Sequence, residues 1–151
     1  MGRIKLFDPI TDDCEKNAIN RVLESKFWAS GAGNGEVKKF EGKFLKYINS
    51  KSCVAVNSGT AALNLALSIY DIKNKEVILP SLSFVATANA IIENGGIPKF
   101  VDVDEKTLCI DPKKILDSIT NKTKVILPVH FGGFSSDLAE ISKICKKNKI
   151  H

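Results

Sequence analysis

Apolar residues along the chain follow two different patterns, and the change falls near residue 50. In residues 1–50 they recur at the three- and four-residue spacing of an α-helix, which predicts helices over 12–26 and 36–48. Asp12 and Glu15 have the spacing of a capping box, which closes the first turn of a helix. The glycine-rich stretch "SGAGNGE" joins the two helices. We therefore interpret residues 1–50 as an N-terminal helical segment with a glycine-rich loop.

Residues 51–151 carry short apolar runs that alternate with stretches of helical spacing. Each run is apolar throughout rather than at every second residue, which is typical of parallel strands buried on both faces. Strands and helices in regular alternation predict an α/β domain with a parallel sheet. The predicted strands are Cys53–Val56, Glu76–Pro80, Pro98–Asp104 and Lys124–His130, and the predicted helices cover 60–70 and 84–93 or begin at Asp111 and Asp137.

Composition and charge limit the classes of protein to which the chain can belong. The 151 residues are 44% hydrophobic and 26% charged, a balance typical of a globular domain. Because no apolar run reaches the roughly 20 residues that span a bilayer, and the N-terminus lacks a signal-peptide stretch, we expect a cytoplasmic protein without a membrane partner. The net charge of +5 comes from lysine-rich helix faces without interleaved arginines or aromatics, which favours a solvated surface over a nucleic-acid site.

No motif of a common metal or nucleotide site is complete. The four cysteines include no C-x-x-C pair and the two histidines stand far apart, so we predict no metal site. Asp102 and Asp104 fall on one face of a predicted strand, where a hydrated strand end is favoured over a cation site. The glycine-rich loop lacks the spacing and the preceding strand of a dinucleotide fingerprint. Its alternatives are a mobile connection and a substrate-contacting segment beside Trp28.

The stretch "VAVNSGTAALNLAL" begins as a buried strand and ends as a buried helix, with four small residues between them. A helix N-terminus presents unpaired N–H groups and a partial positive charge, so it attracts anions. Gly59 permits close approach to the backbone, and the hydroxyls of Ser58 and Thr60 add donors, which together suit a phosphate group. Any capped helix can carry the same residues, so the motif alone leaves a plain N-cap as the alternative.

Phe84 follows the second predicted strand, in the stretch "PSLSFVATANA". Ligands of open α/β sheets bind beyond the carboxyl ends of the strands, and both Phe84 and the Ser58–Thr60 turn are predicted at that edge. The turn suits an anion and the aromatic side chain suits a flat ring. The alternative for Phe84 is a position in the apolar core.

These stretches resemble a known family. "CVAVNSGTAALNLAL", "EVILPSLSFVATANAIIENGGIPKFVDVD", "IDP" and "PVHFGG", in this order and spacing, are similar to the N-terminal half of the DegT/DnrJ/EryC1/StrS sugar aminotransferases. The resemblance implies an α/β PLP-dependent transferase (aspartate aminotransferase-like) fold. Residues 51–151 would form the first half of its large domain, incomplete, with parallel strands and covering helices. In the family's pattern, the phosphate of pyridoxal 5'-phosphate (PLP) is held at Ser58, Gly59, Thr60 and Ala61, and Phe84 stacks on the pyridine ring.

The resemblance also implies an activity. Family members transfer an amino group, expected from glutamate, to a nucleotide-linked keto sugar in amino-sugar and cell-surface polysaccharide biosynthesis, and the fold is expected to be a homodimer. The family's aspartate at the pyridinium nitrogen and its Schiff-base lysine fall beyond the position of His151. We therefore assign no catalytic residue and expect this chain alone to be inactive.

Two alternatives stay open at this point. One is a PLP-dependent sugar dehydratase of the same fold, in which a histidine replaces the lysine. The other is a non-catalytic binding module.

Because predicted strands would lack neighbours, we also expect poor burial of apolar side chains such as Leu63, Leu67, Ile126 and Leu127.

Overall fold

A three-stranded parallel sheet organises residues 56–151 in the computed structural model, which describes residues 5, 7–28 and 35–151. The strand order is β2-β1-β3, so β1 is central and pairs in parallel with both neighbours. The strands are β1 (Glu76–Pro80), β2 (Ile97–Val101) and β3 (Thr123–Ile126). The helices are α1 (Asp13–Ser25), α2 (Glu36–Tyr47), α3 (Gly59–Ser68), α4 (Val85–Glu93), α5 (Pro112–Ser118) and α6 (Leu138–Asn148).

The chain divides into two compact units, Met1–Ala55 and Val56–His151, which we call the N-terminal unit and the sheet unit. The N-terminal unit contains α1 and α2. The predicted capping box of α1 is confirmed: Asp12 Oδ1 accepts from the Cys14 N–H at 2.6 Å, and the Asp12 N–H donates to Glu15 Oε2 at 2.8 Å. Most of the predicted glycine-rich loop lies outside the described residues.

Apolar clusters cover both faces of the sheet, as the continuously apolar strands predict. Successive side chains of a strand point to opposite faces, so Val77 and Leu79 of β1 join one cluster and Ile78 joins the other. The first cluster also contains Leu67, Ile72, Ala90, Ile91 and Val125, contributed in part by α3 and α4. The second contains Val101, Ile110, Ile115, Ile126, Ile141 and Ile144, contributed in part by α5 and α6. The α/β prediction with covering helices is therefore confirmed.

The expectation of poor burial is wrong for two of the four named side chains. Leu67 is 3% exposed and Ile126 is 6% exposed, because each belongs to a cluster between the sheet and its helices. Leu63 and Leu127 are partly buried against the first cluster. Three strands and four helices are enough to bury these positions.

Two strands end earlier than predicted, and each end has a local cause. The predicted strand to Asp104 stops at Val101, where the Asp102 carboxylate accepts from the Val103 N–H at 2.9 Å and competes with the strand ladder. The predicted strand to His130 stops at Ile126. One further bond joins the Leu127 N–H to the Ile78 carbonyl at 2.7 Å, and the next residue, a proline, has no N–H to donate.

The predicted strand Cys53–Val56 is wrong for the described structure, since no ladder forms along it. The N–H of Ala55 instead donates to the Glu41 carboxylate at 2.9 Å. An apolar run becomes a strand only where another strand offers its backbone groups, and the described residues offer none to this segment.

The outer edge of β3 accepts one more residue of the chain. The His151 N–H donates to the Lys124 carbonyl at 3.0 Å, and its carbonyl accepts from the Ile126 N–H at 2.7 Å. This is the bonding pattern of parallel strands.

None of the described helices has both the length and the apolar character needed to cross a membrane.

A partly buried ion pair with added hydroxyls lies at the amino end of the sheet. Oε2 of Glu76 on β1 accepts from the hydroxyls of Thr120 at 2.6 Å and Thr123 at 3.1 Å, and from Lys99 Nζ on β2 at 3.3 Å. The bond from Thr120 contributes most to lowering the pKa of Glu76, against the opposing effect of burial. The carboxylate therefore holds both neighbouring strands to β1.

Replacing this carboxylate (Glu76→Gln) is expected to lower the free energy of unfolding by about 1.5–3 kcal/mol near neutral pH, the range for hydrogen bonds to a charged group. Because the pKa of Glu76 is lower in the folded state, the stabilisation is present above the unfolded pKa of about 4.3 and is lost as pH falls through the folded value below it. Urea unfolding at neutral and at acidic pH measures the difference.

The matched control is Glu140→Gln, which removes an exposed pair with Lys143 on α6. Such a pair contributes about 0–1 kcal/mol. Equal losses in the two variants, or a loss in Glu76→Gln that persists in acid, would contradict the role given to Glu76.

Candidate functional site

Helix α3 begins at Gly59, one residue before the predicted start, with Ser58 as its N-cap. Ser58 has extended backbone angles, and its Oγ accepts from the Ala61 N–H at 3.1 Å. Its carbonyl accepts from the Ala62 N–H at 3.0 Å, which starts the helical ladder. Because Oγ only accepts in this bond, the hydroxyl proton of Ser58 is still available to an outside acceptor.

The first two N–H groups of α3, those of Gly59 and Thr60, have no acceptor among the described residues. Thr60 is exposed, and a Cβ added at Gly59 would meet nothing within 4 Å. No acidic side chain lies in the first turn of the helix. The helix end therefore combines free donors, a partial positive charge and open space, which is the equipment of an anion site.

Phe84 stands just beyond β1, on a turn that is fixed from both sides. The Ser81 N–H donates to the Val101 carbonyl at 2.8 Å, which ties the start of the turn to β2. The hydroxyls of Ser83 and Thr87 are 2.8 Å apart, which ties its end to α4. Phe84 is the extended N-cap of α4 and is 76% exposed, so it is not a core residue.

One open groove of about 700 Å³ brings the two predicted elements together. The start of α3 and the start of α4 form its walls. Its lining residues are Gly59, Thr60, Ala62, Leu63, Ala66, Phe84, Ala86 and Thr87. Of the five predicted site residues, Gly59, Thr60 and Phe84 thus share this groove. Ser58 and Ala61 are not among the lining residues, and the bond from the Ala61 N–H to Ser58 Oγ caps the start of α3 beside the groove.

A polar network holds the two helices of the groove together. Asn64 of α3 donates from Nδ2 to Glu93 of α4 at 2.5 Å, and Asn94 Nδ2 donates to Asn64 Oδ1 at 3.0 Å. Asn94 Nδ2 also bonds the Ala90 carbonyl at 2.8 Å, so the end of α4 is capped by the same side chain. This network could not be predicted from the sequence, since its partners lie about thirty positions apart and carry no motif.

The acidic residues that follow β2 form an ion pair and hydrogen bonds that stabilise the fold. Asp102 pairs with Lys114 at 2.8 Å, and the hydrogen bond from that ammonium contributes most to lowering the pKa of Asp102. Asp104 Oδ1 accepts from the N–H groups of Lys106 and Thr107. No group of three His, Cys, Asp or Glu side chains is arranged to hold a metal within the ranges that the structure describes.

A second concavity of about 580 Å³ lies between α5 and α6. Its carboxylates serve local structure: Asp111 and Asp137 are the N-caps of the two helices, Asp104 closes a turn, and Glu140 pairs with Lys143. The groove between α3 and α4 is therefore the stronger candidate, because its donors are still free.

Trp28 is exposed in the N-terminal unit, and the substrate-contacting role of the loop beside it stays a prediction.

Known proteins share both the sequence and the fold. Residues 9–151 match the model of the DegT/DnrJ/EryC1/StrS aminotransferase family. The chain is 44% identical over 136 residues to a dTDP-3-amino-3,6-dideoxy-alpha-D-galactopyranose transaminase of Aneurinibacillus thermoaerophilus, which covers 89% of this chain and 37% of the relative. It is 41% identical over 143 residues to the spore coat polysaccharide biosynthesis protein SpsC of Bacillus subtilis, covering 94% and 36%.

A solved structure extends the similarity to the fold. GDP-4-keto-6-deoxy-D-mannose-3-dehydratase of E. coli, with bound hydrated PLP, superposes with a TM-score of 0.86 at 34% identity, covering 96% of this chain and 38% of that one. The parallel sheet with helices on both faces is thus part of the PLP-dependent aminotransferase fold. The chain belongs to the DegT/DnrJ/EryC1/StrS aminotransferase family. It spans little more than a third of the length of the relatives it matches.

The exposure of Phe84 separates a site role from a core role. Phe84→Ala is expected to change the free energy of unfolding by less than about 1 kcal/mol, because the ring buries little surface in the protein alone. Leu79→Ala, at a fully buried position of the adjoining strand, is expected to cost about 2–5 kcal/mol. Urea unfolding of the two variants measures both. A loss in Phe84→Ala as large as that in Leu79→Ala would restore the core interpretation.

Proposed function

We propose that this chain forms the cofactor-holding part of a PLP-dependent aminotransferase that acts on a nucleotide-linked keto sugar. The observation that carries the proposal is the shared groove, with the free N–H groups of Gly59 and Thr60 on one wall and the exposed ring of Phe84 on the other. An anion site and an aromatic platform side by side suit a ligand that joins a phosphate to a flat ring.

The residues present fit PLP. Two backbone N–H groups and the hydroxyls of Ser58 and Thr60 can donate to phosphate oxygens at a helix N-terminus. The ring of Phe84 offers an aromatic face of the kind that prefers an offset-stacked partner. The groove, at about 700 Å³, falls in the range of small-molecule sites, about 300–1,000 Å³.

Each of these groups has a physical task in the proposed reaction. PLP, when bound, supplies an electron sink for bond breaking at an amino-bearing carbon. The N–H groups of Gly59 and Thr60 fix the anionic end of the ligand, and Phe84 limits the tilt of the ring and excludes water from one face. The proposal assigns no proton transfer to residues 1–151, in line with the family's pattern, in which the lysine falls beyond the position of His151.

The family and the relatives support the proposed substrate class. A transaminase named for a dTDP-linked amino sugar, 44% identical to this chain, supports a nucleotide-linked keto sugar as the amino acceptor. SpsC supports a role in polysaccharide biosynthesis. Glutamate as amino donor, a cytoplasmic location and a homodimer are parts of the same proposal. A second candidate, a PLP-dependent sugar dehydratase, is supported by the similarity to the E. coli dehydratase.

The two candidates yield different products. The full-length gene product is incubated with PLP, glutamate and a panel of dTDP- and GDP-linked keto sugars. We expect an amino sugar and 2-oxoglutarate in equal amounts, identified by mass spectrometry. A product that has lost a hydroxyl group and gained no nitrogen would favour the dehydratase. If PLP does not bind at all, both candidates are wrong.

Removing one phosphate donor tests the groove directly. Thr60→Val is expected to weaken PLP binding by about 1.5–3 kcal/mol, the contribution of a hydrogen bond to a charged acceptor. An equilibrium titration with PLP, followed by absorbance, measures the change. Thr11→Val, at an exposed position of the N-terminal unit, is the matched control and is expected to bind PLP normally. Unchanged PLP affinity in Thr60→Val would remove Thr60 from the site.

A further inference from the structure

The loop that follows β3 has an unusual backbone conformation, and none of its residues has a role in the proposed function. Gly132 and Gly133 are both left-handed, with φ of 59° and 83°, a conformation that other residues rarely adopt. They turn the chain back, so that the Gly133 N–H donates to the His130 carbonyl at 3.1 Å. We call residues 129–136 the β3 loop. Its fold brings Ser136 back to His130.

Two hydrogen bonds between the ends of the β3 loop fix the imidazole of His130. The Ser136 N–H donates to His130 Nδ1 at 3.0 Å. The Ser136 hydroxyl donates to the Val129 carbonyl at 3.0 Å, and Ser136 itself is only 3% exposed. The loop is also anchored at Phe134, whose carbonyl accepts from the Cys109 thiol at 3.3 Å. The side chain of His130 is thus held by a bond from the backbone of a buried residue.

The bond to Nδ1 decides which ring nitrogen carries the proton. A backbone N–H can only donate, so Nδ1 must accept, and the neutral imidazole carries its proton on Nε2. In the described part of the chain Nε2 has no hydrogen-bond partner, and His130 is exposed. The β3 loop therefore presents one fixed N–H donor to its surroundings.

Sheet register places this donor at the same edge as the groove. Ile126 of β3 lies opposite Ile78 of β1, and the Leu127 N–H continues the pairing to the Ile78 carbonyl. Beyond these partners the two neighbouring strands leave the sheet in the same direction, β1 toward Phe84 and β3 toward His130. Ligands of such sheets bind at this carboxyl edge.

We propose that His130 is a further ligand-binding residue, whose Nε2–H donates to an acceptor oxygen of the ligand at the carboxyl edge. The inference rests on the proposed function, because that function supplies the ligand. Two sources can offer the oxygen: the cofactor, or a substrate bound against it. The β3 loop serves to hold the imidazole in one tautomer and one orientation.

Two isosteric variants separate the two ring nitrogens. In His130→Asn, the amide oxygen replaces Nδ1 and can still accept from the Ser136 N–H, whereas the Nε2 donor is lost. In His130→Gln, the amide nitrogen can replace the Nε2 donor, whereas the acceptor for Ser136 is lost. The full-length gene product is used for both, with thermal unfolding without ligand, equilibrium titration with PLP, and KM for each substrate as measurements.

The proposal predicts opposite outcomes for the two variants. His130→Asn is expected to unfold at the wild-type temperature but to bind one ligand about tenfold more weakly, the factor for loss of a hydrogen bond of about 1.4 kcal/mol. His130→Gln is expected to unfold at a lower temperature and to bind that ligand more tightly than His130→Asn. A change in PLP affinity identifies the cofactor as the acceptor, and a change confined to KM identifies a substrate.

Wild-type PLP affinity together with wild-type KM in His130→Asn would overturn the proposal and leave His130 with a structural role only. So would ligand binding that falls in proportion to thermal stability in both variants. Thr60→Val distinguishes this failure from failure of the proposed function: if Thr60→Val weakens PLP binding while His130→Asn has no effect, the proposed function stands and the role of His130 is wrong.

Discussion

The sheet unit depends on β1, the strand that pairs in parallel on both of its edges. Val77, Ile78 and Leu79 are fully buried, and because they alternate in direction they support the apolar clusters on both faces. Burial of apolar surface contributes about 25 cal/mol per Å² to stability, so the side chains of this one strand stabilise the packing of helices on both faces of the sheet. A strand buried on both faces tolerates no polar side chain in its middle, so the carboxylate of Glu76 stands at its end.

The position of the groove follows from the same strand. The cluster that contains Val77 and Leu79 also contains Leu67 of α3 and Ile91 of α4, so both helices are held against one face of the sheet. Asn64 and the end of α4 fix the two helices to each other through polar contacts. Since β1 leads directly to the turn before α4, the start of α4 has little freedom to move away from the start of α3.

How far the sequence predicts this structure depends on how local the determining interaction is. The bounds of β1 follow from its apolar run, and the start of α5 follows from Asp111 as N-cap with Pro112 in the first turn. The predicted strands are longer than the observed ones where a side chain or a proline ends the ladder, and no strand forms at Cys53–Val56 because pairing needs a second strand. That Gly59, Thr60 and Phe84 lie close together could be predicted from motif and sheet topology, and the structure places all three in one groove. That Ser58 and Ala61 are absent from its lining could not be predicted. The contact between Ser136 and His130 could not be predicted, because it depends on two consecutive left-handed glycines and leaves no regular pattern in the sequence.

The groove carries two features that do not stabilise the chain by itself. An aromatic ring that is 76% exposed leaves apolar surface in water, and a helix N-terminus with two unbonded N–H groups leaves its partial charge without a counter-charge. An acidic residue in the first turn of α3 would supply the missing counter-charge, and a polar residue at position 84 would remove the exposed apolar surface. Both features lose their cost when a ligand supplies an anion to the N–H groups and a flat face to the ring. Local departures from the rules of stability are expected at functional sites, and here two of them point into one groove.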